Sequence, residues 1–253
     1  MDATLELPRS VLLALWLSEP AADRGALLRA VQGDDEPHTV LDGEDPPGPL
    51  SRLLEACRDQ PRDVAAAVPS PGDPAAVPAP VSSAALDAGE CVLVRTPTAC
   101  LAAVPDVERF GSAVEPGHLV TWRVQEVADW RTAVLGTTGS LAEAELALRQ
   151  GLIDATEALV KLDVARWRPE AAEQIVALRD AQVPGWRLPD GLDGRRVRVL
   201  ASAARLRGIV ALAASDDGGA VNLWQADQRS TALREVDRVA RRAMGAAATT
   251  VAR

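Results

Sequence analysis

The most chemically varied segment of this 253-residue chain is Asn222-Leu223-Trp224-Gln225-Ala226-Asp227-Gln228-Arg229, which gathers amides, a carboxylate, a guanidinium and an indole within two helical turns. On a helix, Asn222, Gln225 and Arg229 share one side, with Asp227 and Gln228 beside them. Such a stripe can line a polar groove for a small molecule, or hydrogen-bond across a helical interface and fix its register. The interface is the expected use, with Trp224 and Arg229 as its anchors. Around this stripe lie Arg195, Arg198, Arg234, Arg238, Arg241 and Arg242, which fall mostly off the apolar seams and form a basic face.

Other clusters have simpler readings. Gly136-Thr137-Thr138-Gly139-Ser140 resembles an anion-cradling loop but lacks GxxxxGK[ST] and any nearby Lys, so a hinge with a helix N-cap accounts for it. Glu143, Glu145, Asp154, Glu157 and Asp163 read as a solvated acidic face, because no His accompanies them to make the Glu-x-x-His pattern of a bundle metal site. His38, among Asp34, Asp35, Glu36 and Asp42, is expected in a solvated acidic loop; His118, alone at the head of a strand, is expected to be structural. Cys57, Cys91 and Cys100 show neither disulfide nor zinc spacing. No nucleophile elbow, Rossmann glycine pattern, EF-hand loop or HExxH is present, so no catalytic residue, metal or cofactor is assigned.

The elements that would position these groups are mainly helical. Val197 to Ala214 and Val221 to Ala247 are two long patterns separated by Ser215-Asp216-Asp217-Gly218-Gly219, which specifies a helical hairpin. Val199, Ala203, Leu206, Val210 and Ala213 form the seam of its first arm, and Leu233, Val236, Ala240 and Ala243 that of the second. Ser140-Leu141-Ala142-Glu143 reads as a capping box opening a helix whose apolar seam runs through Leu141, Leu148, Leu152, Ala155, Leu159 and Leu162. Pro169 opens a further helix to Gln182.

Upstream, short helices are expected from Arg9, after Asp23, and over Leu50 to Arg58, and strands over Glu90–Arg95, Ala99–Val104 and Leu119–Val127. In the last strand Val120, Trp122 and Val124 should be buried, with Arg123 and Gln125 outward. Six prolines between Pro61 and Pro80 argue against a packed element there. The fold class is therefore α+β: a small antiparallel sheet in the N-terminal half packed with a C-terminal four-helix arrangement ending in a long helical hairpin. The expected division is 1–60 helical, 61–80 a Pro-rich linker or loop, 81–135 a small β region and 136–253 helical.

Composition bounds the function classes. With 47% apolar and 25% charged residues the chain has an ordinary globular balance. Its longest apolar run, Val11 to Leu17, is far short of the about 20 residues a membrane span needs, and the N-terminus lacks a signal peptide's positive charge. A cytoplasmic protein is expected, and the single Lys161 among many Arg suggests a GC-rich bacterial genome. Residues 1–93 carry 16 acidic against 6 basic side chains, whereas residues 194–253 carry 5 against 11. Opposite ends of this kind can attract each other within a chain or between copies, or the basic end can meet an acidic partner. The residues thus favour a non-enzymatic interaction or regulatory protein, self-associating through its C-terminal helices as a homo-oligomer or binding a protein partner. Two alternatives stand beside it: nucleic-acid binding by the Arg-rich hairpin, and a small-molecule site or enzyme with a polar groove at residues 222–229.

Overall fold

The computed structural model describes residues 4–43, 45–57, 60–112, 115–161, 177–214 and 223–251, with side chains at all of these except 154–161 and 223–229. Its fold is α+β, with a sheet in the N-terminal half and helices in the C-terminal half. Strands β3 (Asp63–Ala67), β4 (Cys91–Arg95), β5 (Cys100–Gly111) and β6 (Pro116–Glu126) are successive antiparallel neighbours. β1 (Thr39–Asp42) then lies parallel to β6, and β2 (Gly48–Pro49) pairs with β1, giving the order β2-β1-β6-β5-β4-β3. The sheet is thus mixed and six-stranded rather than small and antiparallel. Asp42 and the acidic turn after it mask β1 in the sequence, and its four residues are too few to show a period.

Alternation within each strand builds two cores. Val64, Ala66, Val92, Val94, Ala103, Val120, Trp122 and Val124 face one side, and Ala65, Ala67, Cys91, Leu93, Ala102 and Val104 the other. The first side is covered by α1 (Arg9–Leu17), α2 (Arg24–Gln32), α3 (Ser51–Ala56) and the C-terminal helices. The second is closed by α4 (Ser82–Ala88) and α5 (Arg131–Thr138), with Trp130 and Val134 inserted. Neither α4 nor α5 is announced by the sequence, because each buries a single apolar residue, Ala85 and Val134, and shows no seam.

Residues 61–80 differ most from expectation. The prolines flank a proline-free window, Arg62 to Val68, whose centre is β3, buried along its whole length. Arg62 donates from Nε to the Leu17 carbonyl and from Nη1 to that of Cys57, tying the segment to the end of α1. Asp63 pairs with Arg95 and Arg131. A packed strand therefore lies within the stretch expected as a Pro-rich linker or loop, because averaging prolines over twenty residues hides a strand of five.

α6 (Leu141–Lys161) begins with the expected capping box, in which the Ser140 amide donates to Glu143 Oε2 at 2.7 Å and the Glu143 amide to Ser140 Oγ at 3.2 Å. α7 (Gly194–Ala214) and α8 (Leu223–Ala248) pack together, with Val199, Ala203, Leu206, Ala213, Val236, Ala240 and Ala243 all buried in their seam. The connection at 215–219 and most of the Pro169–Gln182 helix lie outside the described residues, as do the side chains of Ala155, Leu159 and Leu162.

The last turns of α8 lie on β3, and their composition explains how. Ala243, Ala246, Ala247 and Ala248 are buried there, and a Cβ placed on Gly245 would sit 3.0 Å from the Ala66 carbonyl oxygen. Small residues on both sides let the helix backbone approach the strand backbone. Thr250 then pairs with Val64 through two 2.8 Å backbone hydrogen bonds, occupying the free edge of β3. Gly245→Val should cost about 1–3 kcal/mol by overpacking against an unyielding carbonyl. Urea unfolding measures this directly, and an unchanged midpoint would show that the contact is slack.

Candidate functional site

Three places in this fold carry more chemistry than packing requires. The first unites the two histidines of the chain. α1 presents Arg9, the turn after α2 presents Asp35, the approach to β1 presents His38, and β6 presents His118 and Trp122. Trp122 Nε1 donates to His38 Nδ1 at 3.2 Å, so the proton of neutral His38 resides on Nε2, which lies 3.2 Å from Asp35 Oδ2. Arg9 Nε donates to the same oxygen at 2.6 Å, and His118 Nδ1 lies 3.1 Å from Asp35 Oδ1. A buried indole is thereby connected through an imidazole and a carboxylate to a second imidazole that is one-third exposed.

The electrostatics follow from burial. His38 is only 1% exposed rather than solvated, and desolvation pushes its pKa below the ordinary value despite the counteracting Asp35 carboxylate. Burial opposes ionisation of Asp35, but the hydrogen bond and charge of Arg9, with His38 behind it, outweigh this and hold its carboxyl below the usual range. The forced Nε2–H tautomer also leaves no lone pair of His38 toward Asp35, so these groups do not suit a metal; among the described residues no cluster of three or more metal-ligating side chains occurs. Nearby, Glu90 accepts from the Ser10 amide at the positive end of α1 at 2.7 Å, and its burial pushes the carboxyl pKa up. Burial and the adjacent Glu90 push the Cys91 thiol up to about 12, which leaves it unreactive.

The second place is the arginine surface, which is largely paired within the chain. Arg195 meets Glu145 at 2.8 Å and Arg238 meets Glu235. Arg241, expected on an exposed basic face, is 5% exposed: it contacts Asp237 at 2.7 Å and Asp73 at 3.2 Å, and donates to the Val68 carbonyl at 2.8 Å. Arg242 contacts Asp73 at 3.3 Å. Asp73 comes from the Pro-rich stretch, so the partner of these guanidiniums lies about 170 residues away in sequence, where helical spacing gives no hint of it. Arg198 is exposed, and Arg234 donates to oxygens of its own helix turn, Ser230 O and Thr231 Oγ1, with no carboxylate partner among the described residues. Between the Ser70–Asp73 loop and the α7–α8 pair runs a groove of about 890 Å³. Asn222 lies outside the described residues, and the side chains of Trp224, Gln225, Asp227, Gln228 and Arg229 likewise; the described part of α8 that lines the groove begins at Ser230.

The third is the outer side of α6. Ala144, Leu148 and Gly151 turn inward, Gly151 against Val239, while Leu146 is 68% exposed, Ile153 52% and Leu152 51%. Leu152 therefore lies outside the seam assigned to it, because the helix rolls to bring Gly151 against α8.

A two-part α+β protein of this design matches one known family over nearly its whole length. The chain matches the N-terminal domain of the Rv1486c-like proteins at residues 10–138 and their C-terminal domain at residues 142–245. It belongs to the Rv1486c-like family. No curated protein and no solved structure matches it. The two matched regions meet at Gly139–Leu141, where α5 ends and the capping box of α6 begins.

The histidine network makes a pH prediction. Unfolded His38 takes up a proton as pH falls below about 6.5, and the folded, buried ring resists doing so, so native stability should drop with acidification from that point. Asp35, depressed in the fold, adds a second loss as pH falls past its ordinary range toward its folded value; Glu90, raised in the fold, acts in the opposite sense as pH rises from about 4.3. Denaturant titrations across pH should show a shallower acid slope for His38→Gln than for wild type between about pH 6.5 and 5. His38→Ala should also cost about 1–3 kcal/mol at neutral pH by leaving the Trp122 indole N–H buried and unpaired.

Proposed function

We propose that this Rv1486c-like protein is a non-enzymatic interaction protein of the cytoplasm that self-associates through its C-terminal helices. The observation that carries this reading is the exposed apolar side chains of α6, where Leu146, Leu152 and Ile153 are each more than half exposed, Leu146 and Ile153 two turns apart on one side. Large apolar side chains left exposed together on one helix favour an association face. The free state of Cys57, Cys91 and Cys100 suits a reducing compartment, and among the described residues no helix is long and apolar enough to cross a membrane.

The arginine pairs favour this reading over nucleic-acid binding. Arg195, Arg238, Arg241 and Arg242 are engaged by Glu145, Glu235, Asp237 and Asp73, which lowers the charge the hairpin offers to a polyanion. For the same reason the assembly should rest on apolar contact rather than on attraction between the acidic and basic ends. Analytical ultracentrifugation should show an oligomer that persists at about 1 M salt, where the screening length is about 3 Å. Leu146→Glu with Ile153→Glu should shift it to monomer, weakening assembly by about 2 kcal/mol or more, with unchanged circular dichroism. A wild-type monomer at every concentration and ionic strength would overturn the proposal.

A further inference from the structure

The groove between the Ser70–Asp73 loop and the end of the α7–α8 pair has a composition that specifies an occupant. Its apolar lining is Val210, Ala213 and Ala214 near the end of α7 and Leu233 on α8. One wall is the loop, which is a built structure: Ser70 and Asp73 exchange backbone hydrogen bonds of 3.0 and 2.8 Å around Gly72 at φ 85°, and Arg241 and Arg242 clamp Asp73. The loop therefore stands as a fixed wall against the helices. The opposite wall is α8 itself, through Ser230, Thr231 and Arg234.

Charge along this wall is uneven. Each carboxylate lining the groove is held by a guanidinium: Asp73 and Asp237 by Arg241, Glu235 by Arg238. Arg234 lines the same groove without a carboxylate partner among the described residues, its Nε and Nη2 directed to the neutral oxygens Ser230 O and Thr231 Oγ1 at 3.2 and 3.1 Å. It is exposed and shares the groove lining with Leu233 and Val210. The result is a largely apolar trough in which Arg234 is, among the described residues, the cation without a carboxylate partner, with the hydroxyls of Ser230 and Thr231 in the same lining.

We infer that this groove binds a free amphipathic anion, an apolar body bearing a single carboxylate or phosphate, with the head group on Arg234 and the body along Val210, Ala213 and Leu233. The volume of about 890 Å³ lies within the range of small-molecule sites. A charge-assisted contact to a guanidinium supplies orientation, and the apolar lining supplies most of the affinity. The loop belongs to the N-terminal matched region and the helices to the C-terminal one, so the ligand would bridge the two. This site is separate from the α6 surface, and either can fail without the other.

Dodecanoate below its micelle concentration is the probe, titrated calorimetrically into the full chain, with acetate and dodecyltrimethylammonium as controls that lack the apolar body and reverse the charge. Dodecanoate should bind saturably at one per chain while neither control binds. Arg234→Glu should weaken it by about tenfold or more, and Ala214→Trp, a surface change that fills the trough, should weaken it similarly. No binding of dodecanoate, equal binding of the cationic analogue, or binding unchanged in both variants would overturn the inference. The last outcome would place the amphiphile elsewhere, including on α6.

Discussion

The close approach of α8 to β3 is the constraint on which the rest of this molecule depends. A helix can lie within touching distance of a strand's backbone only where both surfaces are built of alanine and glycine, as they are at Ala66 and Gly245. That contact joins the C-terminal helices to the sheet, and with it come the buried Arg241, its partner Asp73 and the loop that carries Asp73. The ion pair is not there for its strength. Desolvation takes back much of what two buried charges gain, and its effect is to fix which loop conformation accompanies the helix. The groove beside it is a consequence of that fixed spacing.

A second polar network does equivalent work at the opposite strand. Asp35 takes hydrogen bonds from Arg9 and His38 on one oxygen and meets His118 with the other, so α1, the turn after α2, β1 and β6 are referred to one carboxylate. The segment from Gly185 to Arg187 is drawn to the same region: Trp16 Nε1 donates to the Arg187 carbonyl at 2.9 Å, and Arg187 Nε donates to the Ala30 carbonyl at 3.0 Å. Each connection joins residues distant in the chain, which is why α1, though only nine residues long, stays buried along almost its whole length. Specific polar geometry at the periphery complements the unspecific packing of two aliphatic cores.

What could be read from the sequence follows this division. Seams such as Val199, Ala203 and Leu206, the Ser140–Glu143 capping box and the alternation of Val120, Trp122 and Val124 are local patterns, and the structure forms them as the spacing requires. β3 escaped notice because alanine has little strand preference and prolines crowd both of its ends. His38 is hidden for a related reason: its acidic neighbours point to solvent, whereas the pairing of β1 with β6 brings the residue just before β1 to Trp122, whose indole donates to its ring. The burial of Arg241 depended on Asp73, a partner that no helical spacing can reveal. Of the stripe at Asn222 to Arg229, the side chains lie outside the described residues, and the helix that begins at Leu223 lines the groove from Ser230 onward.

The pairing of Thr250 with Val64 has a consequence for how the chain is made. The edge of the sheet and the alanine face of β3 are completed by residues that leave the ribosome roughly 190 positions after β3 itself, which at about 5–20 residues per second is a delay of about 10–40 seconds. During that interval a nascent chain holds an unpaired strand edge beside an uncovered aliphatic surface. Until α8 emerges, the pairing that closes this edge and the helix that covers this surface are both missing from the chain.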